Sequence, residues 1–204
     1  MQRLRFGEIQ DVGAAELACR DLLAAHGIVA LPTETFYGLA VSPDDPAAVE
    51  ALLTLKGRSA EKSLPLVAAN LRQVEVLVEL PPVWRARLVR VWPAPLTVVL
   101  PVRRALAACG RTAAVRVPAH PLLRTLLEAL GPLTATSANR TGTPALAEPD
   151  AVARTLGDGL GLLLDGGVTP GGLPSTLLDL TYDRPKILRA GAFRPPSSWA
   201  VTGV

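Results

Sequence analysis

"AAELACRDLLAAHGIVALPTETFYGLA" occupies residues 14–40, and the change of rhythm inside it decides the fold. Leu17, Ala18, Cys19, Leu22, Leu23 and Ala25 recur at helical spacing, and Gly27 supplies the stop. "GIVALPT" (27–33) then reads as a short buried strand that breaks at Pro32. Thr33, Glu34 and Thr35 follow at once, before Tyr37 and Gly38. A helix, a buried strand and a polar strand end form the repeating unit of an α/β domain, whose ligands gather at strand ends. The Thr-Glu-Thr cluster has two readings here, a turn or capping cluster and the edge of a binding site.

The alternation continues outward. "DDPAAVEALLTLKGR" (44–58) opens on Asp and Pro and predicts a helix. "SLPLVAA" (63–69), "PLTVVLPV" (95–102) and "AAVRVP" (113–118) predict strands, and so do "PLTATSAN" (132–139), "GLLLDGG" (161–167), "STLLDLTY" (175–182) and "KILRAG" (186–191). Between them "LRQVEVLVEL" (71–80), "PPVWRARLVRVW" (81–92), "HPLLRTLLEALG" (120–131) and "DAVARTLGDGL" (150–160) predict helices. No repeat and no Gly- or Ser-rich linker interrupts them. The expected architecture is one α/β domain over residues 1–191, a twisted, mixed open sheet with flanking helices. Residues 192–204 are expected to form a tail along the surface.

Composition narrows the classes. Of 204 residues 49% are hydrophobic and 19% charged, enough for a core and far from the profile of a disordered chain. The longest uncharged apolar stretch, "VWPAPLTVVLPV" (91–102), is short and holds three prolines, so no membrane span is expected. "MQRLRFGEIQ" has no apolar secretory segment. Cys19 and Cys109 lack a CxxC pattern and read as free thiols, which fits a cytoplasmic location. A net charge of +3 makes anionic ligands plausible, while 4% aromatic residues weighs against a base-stacking platform.

Lysine usage points to the chemistry. Of 21 basic residues only Lys56, Lys62 and Lys186 are lysine, and two of these bracket Arg58 in "LKGRSAEKSLPL" (55–66). A solvated turn is the ordinary reading of such a run. An ammonium, though, is a compact charge suited to a phosphate or carboxylate oxygen, and Arg adds a planar fork. The glycines of a P-loop are missing. Arg116 lies in the otherwise apolar strand "TAAVRVP" (112–118), where it needs either an anionic partner or an edge position. "TATSANRTG" (134–142) offers small residues around Ser137 and Asn139, either an ordinary turn or a place where backbone N–H groups approach a phosphate or ribose. Ser175 opens one strand and Arg189 closes another. His26 and His120 lie far apart, and no metal-ligand spacing, GxSxG motif or dinucleotide fingerprint is present.

Together "LPTETFYGLA", "LKGRSAEKSLPL", "WPAPLTVVL", "AVRVP", "ATSAN" and "STLLDLT…ILRAG", in this order over residues 12–191, resemble the YrdC/Sua5 family of threonylcarbamoyl-AMP synthases. The resemblance implies a nucleotidyltransferase that joins L-threonine, bicarbonate or CO2 and ATP, with release of pyrophosphate, for N6-threonylcarbamoyladenosine in tRNA. It implies ATP as substrate together with Mg2+, no metal held by the protein itself, and downstream partner proteins that pass the group to tRNA, to which the chain itself would bind weakly. It implies that Lys56, Arg58 and Lys62 hold the phosphates, with Lys56 and Arg58 serving catalysis. Thr112, Arg116, Ala135, Ser137, Asn139 and Arg189 would line the nucleotide, and Thr33, Thr35 and Ser175 the threonine. Ser59, Arg140, Ala145 and Ala190 depart from the family's commoner residues. Two alternatives stand beside this reading: a paralogue of the same fold acting on another carbamoyl-type substrate, and a module that docks double-stranded RNA or tRNA.

Overall fold

The computed structural model describes residues 1–59 and 63–203. Its elements in chain order are β1 (Gln2–Arg5), α1 (Val12–Ala24), β2 (Val29–Leu31), β3 (Gly38–Ala40), α2 (Pro46–Lys56), β4 (Leu66–Val67), α3 (Leu71–Leu77), α4 (Pro82–Leu88), β5 (Leu96–Pro101), β6 (Thr112–Arg116), α5 (Pro121–Leu130), β7 (Leu133–Thr134), β8 (Thr136–Ser137), α6 (Pro149–Leu156), β9 (Leu162–Asp165), β10 (Thr176–Asp179) and β11 (Lys186–Arg189). Local chemistry sets several of the boundaries. Asp45 caps α2 by accepting from the Ala48 N–H at 3.1 Å, with Pro46 at the first helical position. Gly57 ends the same helix at φ 61°, a left-handed conformation that glycine adopts without strain. His120 caps α5 through Nδ1, which accepts from the Leu123 N–H at 3.2 Å.

The expected mixed α/β domain is present, with its strands divided between two sheets. One has the order β1-β9-β2-β3-β8 and the other β11-β10-β5-β6-β4-β7. In the first, β1, β9 and β2 run parallel, and β3 is antiparallel to both β2 and β8. In the second, parallel pairs β10–β5 and β6–β4 alternate with antiparallel pairs β11–β10, β5–β6 and β4–β7. "PLTATSAN", read from sequence as one strand, is where the chain changes sheets. Leu133 and Thr134 pair with β4, Thr136 and Ser137 pair with β3, and Ala135 between them donates its N–H to the Pro65 carbonyl at 2.8 Å. The edge strand β1 was not expected; its side chains are mostly exposed and carry no alternating pattern.

Leu52, Leu66, Leu96, Leu100 and Trp84 belong to one core cluster. Phe6, Leu31, Leu123, Leu127 and Leu164 belong to another, where α1 and α5 cover the first sheet. The C-terminal segment is anchored to the rest of the chain. Trp199 is 5% exposed and meets Trp84 edge-on at 5.3 Å, and the Ile187 N–H donates to the Thr202 carbonyl at 2.8 Å. No helix among the described residues is long and apolar enough to cross a membrane.

Candidate active site

A cavity of about 600 Å³ takes its walls from both sheets. Thr33 and Thr35 follow β2, Ser137 ends β8, Thr97 and Arg116 lie in β5 and β6, Ser175 precedes β10, and Arg189 ends β11. Thr33, Thr35, Arg58, Arg116, Ala135, Ser137, Asn139, Ser175 and Arg189, all singled out from sequence, therefore face one space. Lys62 lies outside the described residues. Thr112 stands at the start of β6 opposite Pro101 and is not part of the cavity wall.

Arg116 is the interior arginine of the sequence reading, and edge exposure is not its answer. β6 runs between β5 and β4, and the residue is 8% exposed. Its partner is Glu34, whose Oε1 accepts from Arg116 Nη1 at 2.7 Å; the two side chains are 13% and 10% exposed. Burial pushes the guanidinium pKa down, and the Glu34 carboxylate opposes that. Glu34 Oε2 is buried without a hydrogen-bond partner among the described residues. The Thr-Glu-Thr cluster is thus the counter-charge of a strand 82 residues away in sequence.

The other two arginines of the cavity have no carboxylate partner among the described residues. Arg58 donates from Nη2 to the Ser63 carbonyl at 2.9 Å, and its Nε is buried without a partner among the described residues. Arg189 donates from Nη2 and Nε to the Ser175 carbonyl at 2.9 and 3.2 Å, and from Nη2 to Ser175 Oγ at 3.3 Å. Burial pushes both guanidinium pKa values down, and for Arg189 the nearby Arg116 adds to this. Arg58, half-buried, and Arg189, exposed, thus face a cavity with no carboxylate set against either among the described residues, an arrangement that favours an anionic ligand.

Lys56 has a different place from the one its charge suggested. It closes α2, is 4% exposed, and is not part of the cavity wall. Its ammonium donates to the carbonyls of Ser137 at 2.5 Å and Asn139 at 2.8 Å and to Asn139 Oδ1 at 3.3 Å, while the Thr141 N–H donates to the Lys56 carbonyl at 2.8 Å. Ser137 Oγ donates to Asn139 Oδ1 at 2.5 Å, and Asn139 Nδ2 donates to the Thr143 carbonyl. An ammonium has three donors and no acceptor, so this turn of acceptors suits lysine. Lys56 is the post on which the 137–143 turn is folded.

Burial, with Arg58 contributing, lowers the Lys56 pKa to about 8. Above that pH the amine keeps two donors for three acceptors, so the turn loosens and kcat/KM should fall as pH rises through about 8. The unfolded chain, with an ordinary lysine pKa of 10.5, binds more protons than the folded one above pH 8, so this group makes folding more favourable as pH rises. The buried thiols of Cys19 and Cys109, pushed up to about 12 and 11, act in the opposite sense only above the ordinary value of 9. Between pH 8 and 9 turnover should therefore drop while the melting temperature holds or rises, and a Lys56→Met variant should lack the limb. Parallel pH profiles of kcat/KM and Tm check this.

Two residues were given no site role from the sequence. Glu34 was named within the Thr-Glu-Thr cluster, read either as a turn or as the edge of a binding site, but without a partner. Thr97, 5% exposed in β5, places Oγ1 2.8 Å from Ser175 Oγ; a lone hydroxyl residue inside "PLTVVLPV" was the available signal. No group of three or more His, Cys, Asp or Glu among the described residues is arranged to hold a metal ion.

Comparison with known proteins places this geometry. The Sua5/YciO/YrdC profile, described as "Telomere recombination", matches residues 21–191. The chain belongs to the Sua5/YciO/YrdC family. A threonylcarbamoyl-AMP synthase of Pseudomonas aeruginosa is 40% identical over 171 residues, which cover 81% of this chain and 92% of that protein. Sua5 of Pyrococcus abyssi, solved in complex with L-threonine, matches with a TM-score of 0.83 and 34% identity over 93% of this chain and 57% of its own, so the present chain spans little more than half of the archaeal one. YciO of Escherichia coli matches with a TM-score of 0.79 at 24% identity, a likeness of fold, over 94% of this chain and 95% of its own. The Sua5/YciO/YrdC profile also encloses every residue described above as facing the cavity.

Proposed function

We propose that this chain joins L-threonine, CO2 drawn from bicarbonate, and ATP to give threonylcarbamoyl-AMP and pyrophosphate, supplying the activated group for N6-threonylcarbamoyladenosine in tRNA. The observation that carries the reading is the cavity itself, which combines two arginines without a carboxylate partner among the described residues, a hydroxyl-rich wall and a turn held by a buried lysine. The Pseudomonas aeruginosa synthase and the threonine complex of Pyrococcus abyssi Sua5 support it.

The threonine amine, after losing a proton, forms an N–C bond to CO2. An oxygen of the resulting carbamate then attacks the α-phosphorus of ATP, and the bond from that phosphorus to the bridging oxygen breaks as pyrophosphate departs. Both nucleophiles belong to substrates. The protein's work is alignment and neutralisation of charge. Arg58 and Lys62 hold the triphosphate, which arrives with its own Mg2+ as part of the substrate, and Arg58 steadies the departing pyrophosphate. Lys56 acts on the phosphates through the turn it folds. Arg116, Ala135, Ser137, Asn139 and Arg189 line the nucleotide, with Thr112 behind them in β6, and Thr33, Thr35 and Ser175 receive threonine. Partner proteins take the product on to tRNA. The free thiols of Cys19 and Cys109 suit work in a reducing cytoplasm.

Pyrophosphate release should require ATP, threonine and bicarbonate together and stop when any one is omitted. Release that ignores threonine would overturn the assignment.

A further inference from the structure

We propose that Trp199 is a positioning residue: it anchors residues 192–202 as a strap that ties both ends of β11 and thereby sets Arg189 against a nucleotide. The inference rests on the reading of the cavity as a nucleotide site.

Arg189 is poorly placed to hold itself. It is the last residue of β11, an edge strand of four residues. The ladder to β10 shifts register between Leu177 and Leu178, beside the Leu177–Arg189 pair. Arg189 is exposed, and the like charge of Arg116 works against its placement. Its hydrogen bonds to the Ser175 carbonyl hold the guanidinium only as firmly as the strand behind it is held. A long side chain at the end of a short edge strand has many orientations to lose when a ligand binds, and that loss weakens binding.

The chain after β11 removes this freedom. Gly191 crosses residues 174–176 so closely that a methyl group on it would stand 2.2 Å from the Pro174 carbonyl oxygen. The Ala192 N–H donates to that carbonyl at 2.9 Å. Thr176 Oγ1 takes both backbone groups of Phe193, accepting its N–H at 3.1 Å and donating to its carbonyl at 2.5 Å. Phe193 and Trp84 of α4 meet Trp199 at 6.0 and 5.3 Å. Beyond Trp199 the chain returns to the start of β11. There the Thr202 N–H donates to the Pro185 carbonyl at 2.9 Å, and the Thr202 carbonyl accepts the Ile187 N–H at 2.8 Å. One segment thus ties both ends of the strand, and Trp199 is the one residue of 192–202 that is buried. A buried indole supplies most of what such a segment can gain from the core. Trp199 does not line the cavity, so it acts on a ligand only through β11.

The test is a double-variant cycle read by calorimetric affinity for α,β-methylene-ATP with Mg2+, an analogue whose α–β bridge resists cleavage. Arg189→Ala should weaken binding ~10-fold or more, as loss of a hydrogen bond to a charged group implies. Trp199→Ala should forfeit part of that same contact, about 3-fold or more, in the wild-type background and change nothing further in the Arg189→Ala background. Trp199→Phe should bind as the wild type does. Because Trp199→Ala leaves a cavity in the core, Thr176→Val, which frees Phe193 at the other end of the strap, is run through the same cycle with the same expected pattern. Weakening by an equal factor in both backgrounds would make the strap merely structural and overturn the inference, as would no weakening in either. Any unfolded fraction lowers the calorimetric stoichiometry and leaves the affinity untouched. Wild-type protein that binds the analogue but releases no pyrophosphate from ATP would remove the proposed reaction and leave the cycle to decide the positioning role. Wild-type protein that binds no analogue would overturn both.

Discussion

Arg58→Ala should lower kcat/KM for threonylcarbamoyl-AMP formation by about 10²–10³, the range typical for loss of one preorganised charge at a reacting centre, without lowering stability. Both halves follow from how the side chain is held. Arg58 follows the left-handed Gly57 that ends α2, and its N–H closes that turn on the Leu53 carbonyl at 3.0 Å, so its backbone is fixed before any ligand arrives. Among the described residues the guanidinium has one hydrogen bond, to the Ser63 carbonyl, and a buried Nε with no partner. Burial disfavours its charge. A cation held at such a cost to folding is ready to meet a polyanion without first breaking an ion pair. Removing it relieves the folded state and disarms the site, so activity should collapse while Tm stays level or rises. Arg58→Lys should recover only part of the activity, because one ammonium cannot reproduce a planar fork. Pyrophosphate release and thermal melting on the same samples check the pair of outcomes; a large drop in Tm would mean that Arg58 is structural.

Glu34→Ala should show the reverse balance. The carboxylate is the ion-pair partner of Arg116 inside the second sheet, where both side chains are at most 13% exposed. Deleting one member of such a pair leaves the other charged, buried and unsatisfied, at a cost of about 3–5 kcal/mol. For a chain of this length that lowers Tm on the order of 10 °C. Adding Arg116→Met to the same chain should return much of the loss, because no unpaired charge then remains in the sheet. Thermal melting of the two single variants and the double variant measures the coupling. Additive losses would show that the 2.7 Å contact contributes little to holding the fold.

These two side chains also mark how far the sequence could be read. The α/β alternation was legible because α1, β2, α2 and α5 are long or strongly punctuated, by Gly27, Pro32, Asp45 with Pro46, and Gly131. The strand pairs β4, β7 and β8 are two residues each and present no periodicity, so a division into two sheets had no local signal. Arg116 could be recognised as needing an anion, since an unpaired cation in an apolar strand is costly. That the anion is Glu34 follows from a contact 82 residues apart, which no local pattern carries. Lysine scarcity drew attention to Lys56, yet charge alone pointed it outward to phosphates. The fold turns it inward because it sits on the buried face of the last turn of α2. Ser175 and Arg189 were legible as polar residues at strand ends, whereas Thr97 was hidden by the apolar strand around it.

The span around Ala135 has a bearing on when the cavity comes into being. Thr134 bonds to Val41 in both directions, its N–H to the carbonyl at 3.0 Å and its Oγ1 from the N–H at 2.9 Å. Ala135 reaches Pro65, and the Ala138 N–H donates to the Tyr37 carbonyl at 2.8 Å. Five consecutive residues thus stitch two sheets together along the cavity floor, and neither sheet alone supplies more than a fragment of the wall. The cavity wall is therefore complete only where both sheets are joined.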